Sequence, residues 1–337
     1  MSKTSSHSEG GFSFIELLIG LTLALLIMGS VLQLFRQGVT ASYATQQRAE
    51  LQQNARVALN LMSQDVSVAG TGFTDGGIQL PTGTGSTRPK RGCTTASCGA
   101  WNFLSDDRLY SVTPGDGSGP TMTGVSTDIM TVAYQDTSLT LQNSPLVSIN
   151  STGTQIAAVS GTSAGILVGD IIMLSNTYGS AVGVVTSLGA NDVINFANGD
   201  PLNINQTAAA LGNISSIDNP ASAGVFPPTT AYRIFVVTYF IDSATNRLMR
   251  QVNAQTPVPV AEVVDNLQIT YDTFNDATMS ATADLPSAGN VPNQIRKANM
   301  TINVRAPYVE QHNGKFDRFS LKTSVSVRNL SFFDRYS

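Results

Sequence analysis

The sequence has little of what most catalytic sites require. Its 337 residues include two histidines, His7 and His312, and neither lies in a recognisable catalytic triad or metal-ligand spacing. No glycine-rich phosphate-binding motif occurs, which argues against a motor that hydrolyses a nucleotide. We therefore predict that this chain is not an enzyme and that it has no cofactor and no resident metal ion.

Charged side chains are also scarce. They make up 12% of the residues, and the formal net charge is -4, which is not typical of a protein that binds nucleic acid through its phosphates. A basic cluster, Arg88, Lys90 and Arg91, could contact DNA, lipid headgroups or an acidic partner, but its lack of interleaved aromatic residues favours a solvated loop. We predict no nucleic-acid partner. The Gly, Ser, Thr and Asn content of the later chain is typical of an extracytoplasmic β protein.

The chain contains two cysteines, Cys93 and Cys98, in the segment GCTTASCG. There is no second pair and no C-x-x-C spacing, so neither a zinc site nor a thiol redox motif is indicated. Outside the cytoplasm, we expect the two residues to form a local disulfide that closes a short loop. Free thiols are the alternative.

One acidic stretch offers oxygen atoms that could bind calcium. Its spacing does not fit the calcium-binding EF-hand loop, so a solvated loop is the favoured interpretation. The candidate ligands are Asp272, Asn275, Asp276 and Asp284.

The longest apolar run organises the rest of the chain. It covers residues 10–35 and reads GGFSFIELLIGLTLALLIMGSVLQLF. As a helix with a rise of about 1.5 Å per residue, it is long enough to cross a hydrocarbon core of roughly 30 Å. We therefore predict a long helix whose transmembrane half covers residues 12–35.

One acid interrupts this run. Glu16 lies about one turn inside it, where an unpartnered carboxylate costs on the order of 2–3 kcal/mol or more. If the chain is cut between Gly11 and Phe12, Phe12 carries a free ammonium group about 6 Å along the helix axis from Glu16. Between staggered neighbouring helices, the two charges can meet and offset the cost of burying each other. This arrangement indicates an assembly device.

Two other interpretations stay open for this segment. The first is an ordinary signal peptide removed after Ala41, although the apolar core is longer than the roughly 7 to 15 residues usual for one. The second is a plain single-pass anchor in which Glu16 has no role. An anchor alone explains neither Gly11 nor Glu16.

Helical character continues beyond the apolar run, where apolar residues recur at steps of three and four and share one helix face. We predict one continuous helix from residue 12 to about residue 69, with an amphipathic half at residues 36–70. Gly70 and Gly72 end it. The predicted apolar face consists of Leu51, Ala55, Ala58, Leu59, Met62 and Val66. The polar remainder includes Arg48, Glu50, Arg56 and Asp65.

The later chain has the pattern of antiparallel β structure, so the predicted fold class is α+β. Residues 71–126 are predicted as a loop-rich segment with the cysteine pair, residues 127–219 as an inserted β subdomain, and residues 220–337 as an antiparallel sheet. Two strands alternate strictly, so their apolar faces must cover something, and the apolar face of the helix is the candidate. Those two strands are residues 298–305 and 321–328. The other predicted strands are 128–134, 139–141, 165–175, 181–187, 193–197, 232–241 and 247–252.

The start of the chain resembles the cleavage and methylation segment of type IV prepilins and of the related secretion pseudopilins. The resemblance rests on Gly11, Phe12 and Glu16, followed directly by an unbroken apolar helix. It implies that residues 1–11 are a leader, that a prepilin peptidase cuts after Gly11, and that the new amino terminus of Phe12 is methylated. It also implies that Glu16 neutralises the amine of a neighbouring subunit during assembly.

Later segments resemble the minor pilins of the PilW family. LMSQDVSVAG, at residues 61–70, is similar to the end of their long helix, and four segments between residues 232 and 329 are similar in order and spacing to their head. The same segments are similar to pseudopilin J of type II secretion. The resemblance implies a pilin-like fold in which the long helix packs on a sheet. The four segments are YRIFVVTYFID, RLMRQV, VAEVVDNLQITYDTF and a closing strand that ends SVRN.

The resemblance implies a non-catalytic role in a type IV pilus. Minor pilins join one another and the major pilin in a complex that primes pilus assembly at an inner-membrane platform, and so support adhesion, twitching motility or DNA uptake. Such a subunit crosses the inner membrane once, with an extracytoplasmic head, and then moves to the pilus, at its tip. One alternative is a pseudopilin of type II secretion. Another is a surface-binding adhesin carried on a pilin stalk.

Overall fold

The structure of the chain is a computed structural model. It describes residues 11, 13–73, 76–81, 88–90, 93, 108–209, 211–275, 280–282, 292–309 and 314–331. The chain divides into two units, Met1–Glu50 and Leu51–Ser337. The predicted class, α+β, is confirmed, because one long helix is followed by antiparallel sheets.

The long helix α1 (Phe14–Val68) has no break. It begins after Ser13, whose carbonyl oxygen accepts hydrogen bonds from the backbone N–H groups of Glu16 and Leu17 at 3.0 and 3.2 Å. It ends in a turn where Gly70 has a φ of 82°, the left-handed conformation that commonly stops a helix. The predicted limits, residue 12 and about residue 69, are confirmed to within two residues.

After α1, the described chain consists mainly of strands, and the pairs they form are antiparallel. A short helix, α2 (Arg328–Ser331), follows the last of them. The strands are β1 (Ile78–Gln79), β2 (Arg108–Leu109), β3 (Val112–Gly115), β4 (Thr121–Met122), β5 (Val125–Ser126), β6 (Ile129–Gln135), β7 (Ser148–Ile149), β8 (Gln155–Ala157), β9 (Ile171–Asn176), β10 (Gly179–Val184), β11 (Ser187–Leu188), β12 (Val193–Asn195), β13 (Thr230–Asp242), β14 (Arg247–Val252), β15 (Val258–Ala261), β16 (Val264–Asn275), β17 (Ser280–Thr282), β18 (Ile295–Val309) and β19 (Phe316–Ser326).

Strand β13 is the centre of a seven-stranded sheet in the described chain. On one edge it pairs first with β9 and then with β14, while β6 pairs along the opposite edge. On the edge of β13 that β9 and β14 share, Val236 lies between the residues paired with β9 and those paired with β14. Asn253 supplies the missing ladder bonds there, because its N–H donates to the Val236 carbonyl and its Oδ1 accepts from the Val236 N–H, both at 2.8 Å. One long strand thereby serves two partners on the same edge.

A second large sheet has the order β17-β16-β18-β19. The alternation predicted for residues 298–305 is confirmed, because Ala298, Met300, Ile302 and Val304 are each 0% exposed. Along β19, partly buried residues alternate with exposed ones, as predicted for residues 321–328. A smaller sheet has the order β11-β12-β8-β7, and β1–β2 and β4–β5 form short pairs.

The largest core joins the second half of α1 to both large sheets. Each residue of the predicted apolar face is buried, and Ala55 and Met62 are 0% exposed. The same cluster contains Tyr239 of β13, Leu267 of β16 and Met300 of β18. The prediction that the helix covers the apolar face of the sheet is therefore confirmed.

The structure divides the later chain differently from the predicted segments. Strands β6, β9 and β10 fall within the predicted insertion at residues 127–219, yet they belong to the same sheet as β13. The small sheet of β7, β8, β11 and β12 packs against β9 and β10. Residues 220–337 contribute to two sheets rather than one, and residues 139–141, predicted as a strand, lead into a 3-10 turn at Leu141–Asn143. Pairing between distant segments leaves no local period in the sequence, which is why these divisions were not predicted.

One residue assigned to the polar side of α1 is buried instead. Asp65 is 4% exposed. Its carboxylate accepts two hydrogen bonds from Arg250, Nε to Oδ2 at 2.9 Å and Nη2 to Oδ1 at 3.1 Å. The hydroxyls of Tyr239 and Tyr134 also donate to it, at 2.5 and 3.3 Å. The polar-face assignment of Asp65 is therefore wrong, because strands β6, β13 and β14 supply the donors that make its burial tolerable.

The two tyrosines and the arginine of this cluster keep their protonation states over a wide pH range. Burial, followed by the charge of Asp65, raises the pKa of Tyr134 to about 12 and moves the pKa of Tyr239 further upward. Burial alone would lower the pKa of Arg250, but its contacts with Asp65 outweigh burial and raise it. The tyrosines thus remain neutral donors, and the guanidinium remains charged.

We expect Arg250→Leu to lower the free energy of unfolding by about 3–5 kcal/mol, because it leaves the buried Asp65 carboxylate without its cation. The matched control is Arg247→Leu on the same strand. Arg247 pairs with Glu262 at 2.9 Å, but the two side chains are 42% and 65% exposed, so a loss below about 1 kcal/mol is expected. Urea unfolding of the full chain in detergent, followed by circular dichroism, measures both, and equal losses would contradict the assigned role of the buried pair.

Candidate functional site

The first turn of α1 forms part of a capping box. Glu16 is the third helical residue, and its Oε2 accepts a hydrogen bond from the backbone N–H of Ser13 at 3.2 Å. The Glu16 backbone N–H in turn donates to the Ser13 carbonyl. A negative charge in the first turn is also favoured by the positive end of the helix dipole. The carboxylate is therefore held toward the amino-terminal end of the helix.

The apolar part of α1 satisfies its own polar groups. The hydroxyls of Thr22 and Ser30 donate at 2.9 Å to helix carbonyls three and four residues earlier, which is what a hydrocarbon environment demands. The apolar side chains from Phe14 to Phe35 are exposed. By length and composition the helix is able to cross a membrane once. Within this stretch Glu16 is the one ionisable side chain.

The predicted cleavage site is partly described. Gly11 is exposed, with no neighbouring atom within 4 Å of the place where a Cβ would lie. Phe12 lies outside the described residues, so the pairing of Glu16 with a new amino terminus stays a prediction. The structure brings Glu16 to Ser13, a contact that sequence reasoning missed. The S-x-x-E pattern before an apolar run was the readable signal for it.

Of the two cysteines, Cys93 is described and Cys98 lies outside the described residues. The Cys93 side chain is 2% exposed and packs in a small cluster with Ile129 and Phe240. The Cys93–Cys98 disulfide stays a prediction.

The backbone of the basic cluster is attached to the loop that follows β12. The N–H of Lys90 donates to the Leu202 carbonyl at 2.8 Å, and the carbonyl of Arg88 accepts from Asn203 Nδ2 at 3.2 Å. Arg91 lies outside the described residues. These contacts give the segment a structural attachment and point to no ligand.

Of the three carboxylates in the acidic stretch considered for calcium, the structure describes that of Asp272. Asp272 contacts Lys297 Nζ at 3.3 Å and accepts a hydrogen bond from Asn299 at 2.8 Å. Asn275 ends β16, and Asp276 and Asp284 lie outside the described residues, as do His7 and His312. Within the described ranges, no group of three or more His, Cys, Asp or Glu side chains is arranged to hold a metal.

A second acidic pair, which sequence reasoning did not single out, links the seven-stranded sheet to β16. Asp128 directly precedes β6 and is 3% exposed. Its Oδ1 accepts from the Gly117 N–H at 2.9 Å, and its Oδ2 accepts from the Ile269 N–H at 2.6 Å. Asp116, exposed on the turn after β3, directly precedes Gly117, and its charge acts on the carboxyl group of Asp128. The β4–β5 hairpin separates the two acids in the sequence, so their spacing does not predict that they lie close together.

The surroundings of this pair shift its titration. Burial raises the pKa of Asp128 to about 6, the charge of Asp116 adds to the increase, and the two backbone N–H groups oppose it. On β16, two residues after Ile269, Tyr271 is 1% exposed, and its hydroxyl has no hydrogen-bond partner within the described chain. Burial and both carboxylates raise the pKa of Tyr271 well above its ordinary value.

The described elements define the class as an α+β protein whose amino-terminal helix is compatible with a single membrane span. Comparison with known proteins goes no further, because no family model, curated protein or solved structure matches the chain. The function has to be inferred from the residues of the site.

We expect Asp128 to make stability fall as the pH rises from about 4 to about 6. In the folded chain its pKa is about 6, whereas the ordinary value is 3.8. Between these values the folded state binds more protons than the unfolded state, so raising the pH favours unfolding. The measurement is urea unfolding of the full chain in detergent at several pH values. A chelator in every sample removes free metal ions, so that the pH is the only variable.

The control for this pH dependence is Asp128→Asn, which cannot titrate. Its stability should be lower overall, because one of the two N–H donors loses its acceptor, but the fall between pH 4 and 6 should shrink. A slope as steep as that of the original chain would contradict the assignment.

Proposed function

We propose that this chain is a minor pilin, a non-catalytic structural subunit of a type IV pilus. The observation that carries the proposal is Glu16, the one ionisable side chain in an exposed apolar helix segment from Phe14 to Phe35. An acid at this depth has a cost in lipid, and assembly against a neighbouring amino terminus gives it a partner. This partner is the α-ammonium group that cleavage after Gly11 creates on Phe12.

The capping contact accounts for an acceptor at position 16, but not for a charge. A glutamine at the third helical position supplies the same acceptor to the Ser13 N–H without placing a carboxylate in hydrocarbon. The helix dipole favours a negative charge here by only about 0.3–1 kcal/mol, less than the roughly 2–3 kcal/mol that the carboxylate costs in lipid, so the charge needs a further explanation. A cation that arrives during assembly supplies one, since it offsets the cost that the free subunit bears.

The direction of the Glu16 side chain supports the same role. Its contact with Ser13 holds the carboxylate at the amino-terminal end of α1. In a bundle of parallel helices staggered by about one turn, roughly 5 Å, the amino terminus of a neighbour lies at this level. The acid is thus already placed for a contact between helices and needs no large rearrangement.

The second half of α1 supports the pilin-like part of the proposal. Its apolar face lies in the main core with residues of β13, β16 and β18, which is the packing that the resemblance to pilins implies. A helix of 55 residues with one lipid-compatible part and one core-packed part suits a subunit that leaves the membrane for a filament.

Location and partners follow from this assignment. Residues 1–11 are the leader, a prepilin peptidase removes it, and Phe12 becomes the methylated amino terminus. The chain then spans the inner membrane once with its head outside the cytoplasm, where a Cys93–Cys98 disulfide is chemically favoured. Its partners are other minor pilins, the major pilin and the inner-membrane assembly platform. Its final position is the pilus, at the tip.

A pseudopilin of type II secretion is the second candidate, because the segments between residues 232 and 329 resemble both. The two candidates differ in their partners. Crosslinking of the membrane-embedded chain in its native cell, followed by mass spectrometry, distinguishes pilus subunits from secretion subunits.

We expect Gly11→Ala to leave unprocessed precursor in the membrane, because the peptidase cuts after this glycine. The control is Gly20→Ala, a change inside the apolar helix that has open space around it and should be processed normally. Immunoblotting of membranes measures the ratio of precursor to mature chain, and amino-terminal sequencing locates the cut. Normal processing of Gly11→Ala, or a mature chain that begins after Ala41, would exclude the proposal.

We expect Glu16→Ala to insert and be cleaved but to assemble into pili at least about tenfold less well, because a mismatch of one buried charge is worth more than about 1.4 kcal/mol. Glu16→Gln is the decisive comparison, since it keeps the capping acceptor and removes only the charge. Counting surface pili by electron microscopy measures assembly. If Glu16→Gln assembles as well as the original chain, the acid serves only to cap the helix.

A further inference from the structure

We infer that the free edge of β19 binds an extended, acidic segment of another protein chain, which joins the second large sheet as an additional strand. This sheet has the order β17-β16-β18-β19, so β19 is its last strand in the described chain. The inference does not depend on the pilin assignment, because β19 lies in the second unit and its test needs no pilus.

Strand β19 is the longest edge strand that the structure describes. It has 11 residues, whereas the other strands that end a sheet have between two and six. Two of those shorter edges contain a proline, Pro114 in β3 and Pro259 in β15, which protects an edge from pairing with another chain. No proline occurs in β19. A long edge of this kind is suited to the addition of a strand.

The register shows which backbone groups of β19 face the free edge. Val327, which directly follows the strand, donates its N–H to the Arg296 carbonyl of β18 at 2.9 Å. Along an antiparallel strand, residues that bond to one neighbour alternate with residues whose N–H and C=O groups point to the other side. Arg305 of β18 fits this alternation, because its N–H donates away from β19, to the Val263 carbonyl at 3.0 Å. The residues of β19 that direct both groups to an edge with no further described strand are therefore Arg318, Ser320, Lys322, Ser324 and Ser326.

The inner side of this edge is apolar and incompletely covered. Phe319, Leu321 and Val325 pack against the main core, yet each is only partly buried. The residues of β18 that are paired with them are all 0% exposed. An added strand with apolar residues on its inner face covers this margin of the core, so apolar burial adds to the backbone hydrogen bonds.

The outer side of the edge is basic. Arg305 and Arg318 both direct Nε at the single carboxylate of Asp265, at 2.8 and 2.9 Å, so these three side chains keep one surplus positive charge. Lys322 is exposed and adds a second. The outer residues of β19 include no acid, although the net charge of the whole chain is -4. The surplus of positive charge is therefore a local property of this edge.

These charges determine which strand fits. A segment with two acids four residues apart places one beside Arg318 and the other beside Lys322, on the same outer face. The residues next to each acid then face inward, toward the apolar margin, so they should be apolar. A second copy of β19 is disfavoured, because its outer face brings further basic residues and no acid. The pattern expected in the partner is acid, apolar, any residue, apolar, acid.

The first test measures binding of a labelled, end-blocked peptide, TVEVTVEVT, to the full chain in detergent at pH 7.5 by fluorescence polarisation. We expect saturable binding with a Kd below about 1 mM. The matched peptide TVKVTVKVT, in which lysine replaces glutamate, should bind at least about tenfold more weakly, because like charges oppose each other across the strands. No saturable binding, or equal binding of the two peptides, would overturn the inference.

Variants of the edge locate the bound peptide. Ser320→Pro removes an N–H that takes no part in the ladder with β18, so the chain should fold, as circular dichroism can verify, but bind at least about tenfold more weakly. Ser320→Ala keeps that N–H and should bind as the original chain does. Lys322→Glu should weaken binding at least about threefold, whereas Arg56→Glu, the same change of charge at an exposed position of α1, should not. Unchanged binding by Lys322→Glu, or by a folded Ser320→Pro, would exclude the edge.

Hydrogen exchange of backbone amides gives a direct readout of strand addition. Binding of TVEVTVEVT should slow exchange at Ser320, Lys322 and Ser324 by at least about tenfold, because these N–H groups gain an acceptor. Leu321 and Thr323 already bond to β18 and should change little. If the first three amides exchange as fast with the peptide as without it, the peptide does not pair with this edge.

Two other occupants of the edge are distinguished by the same variants. If light scattering shows a dimer that Ser320→Pro separates, the occupant is a second copy of this chain. If removal of residues 332–337 tightens peptide binding at least about tenfold, the occupant is the end of the chain itself. Either result would overturn the assignment of this edge to another protein.

Discussion

The packing of one face of α1 against two β-sheets is the interaction on which the second unit depends. The two large sheets share no strand, and residues of both enter the core that contains the buried face of the helix. Met62 lies at 0% exposure within it. Apolar burial of this kind supplies most of the free energy but leaves the rotation of a helix loosely defined. The bidentate contact between Asp65 and Arg250 defines that rotation, because planar pairs of this type have a narrow geometry.

The parts of the fold that the sequence predicted are those with a local period. The long helix and its apolar face repeat at steps of three and four, and the strands around residues 298–305 and 321–328 alternate at every second residue. Each pattern reports which side chains share a face, which depends on the backbone geometry of one element alone. The same reasoning reached Glu16, since a carboxylate is conspicuous in an apolar run.

The features that the sequence did not predict are contacts between residues of different helices and strands. Asp65 looks like a solvent-facing residue in the helix pattern, and its burial becomes intelligible only with Tyr134, Tyr239 and Arg250 around it. Asp128 is likewise an ordinary residue at the start of a strand until Ile269 is placed beside it. Which strand lies next to β13 also depends on contacts far apart in the chain. A single sequence records the residues of such contacts but not their pairing.

The distance along the chain between Asp65 and its partner also bears on how the protein is made. Arg250 follows Asp65 by 185 residues, and β18, which covers the same helix face, comes later still. On a ribosome, the apolar face of α1 is therefore complete long before the strands that cover it exist. Contacts of such long range form slowly. Until the last third of the chain arrives, the uncovered apolar face is prone to aggregate.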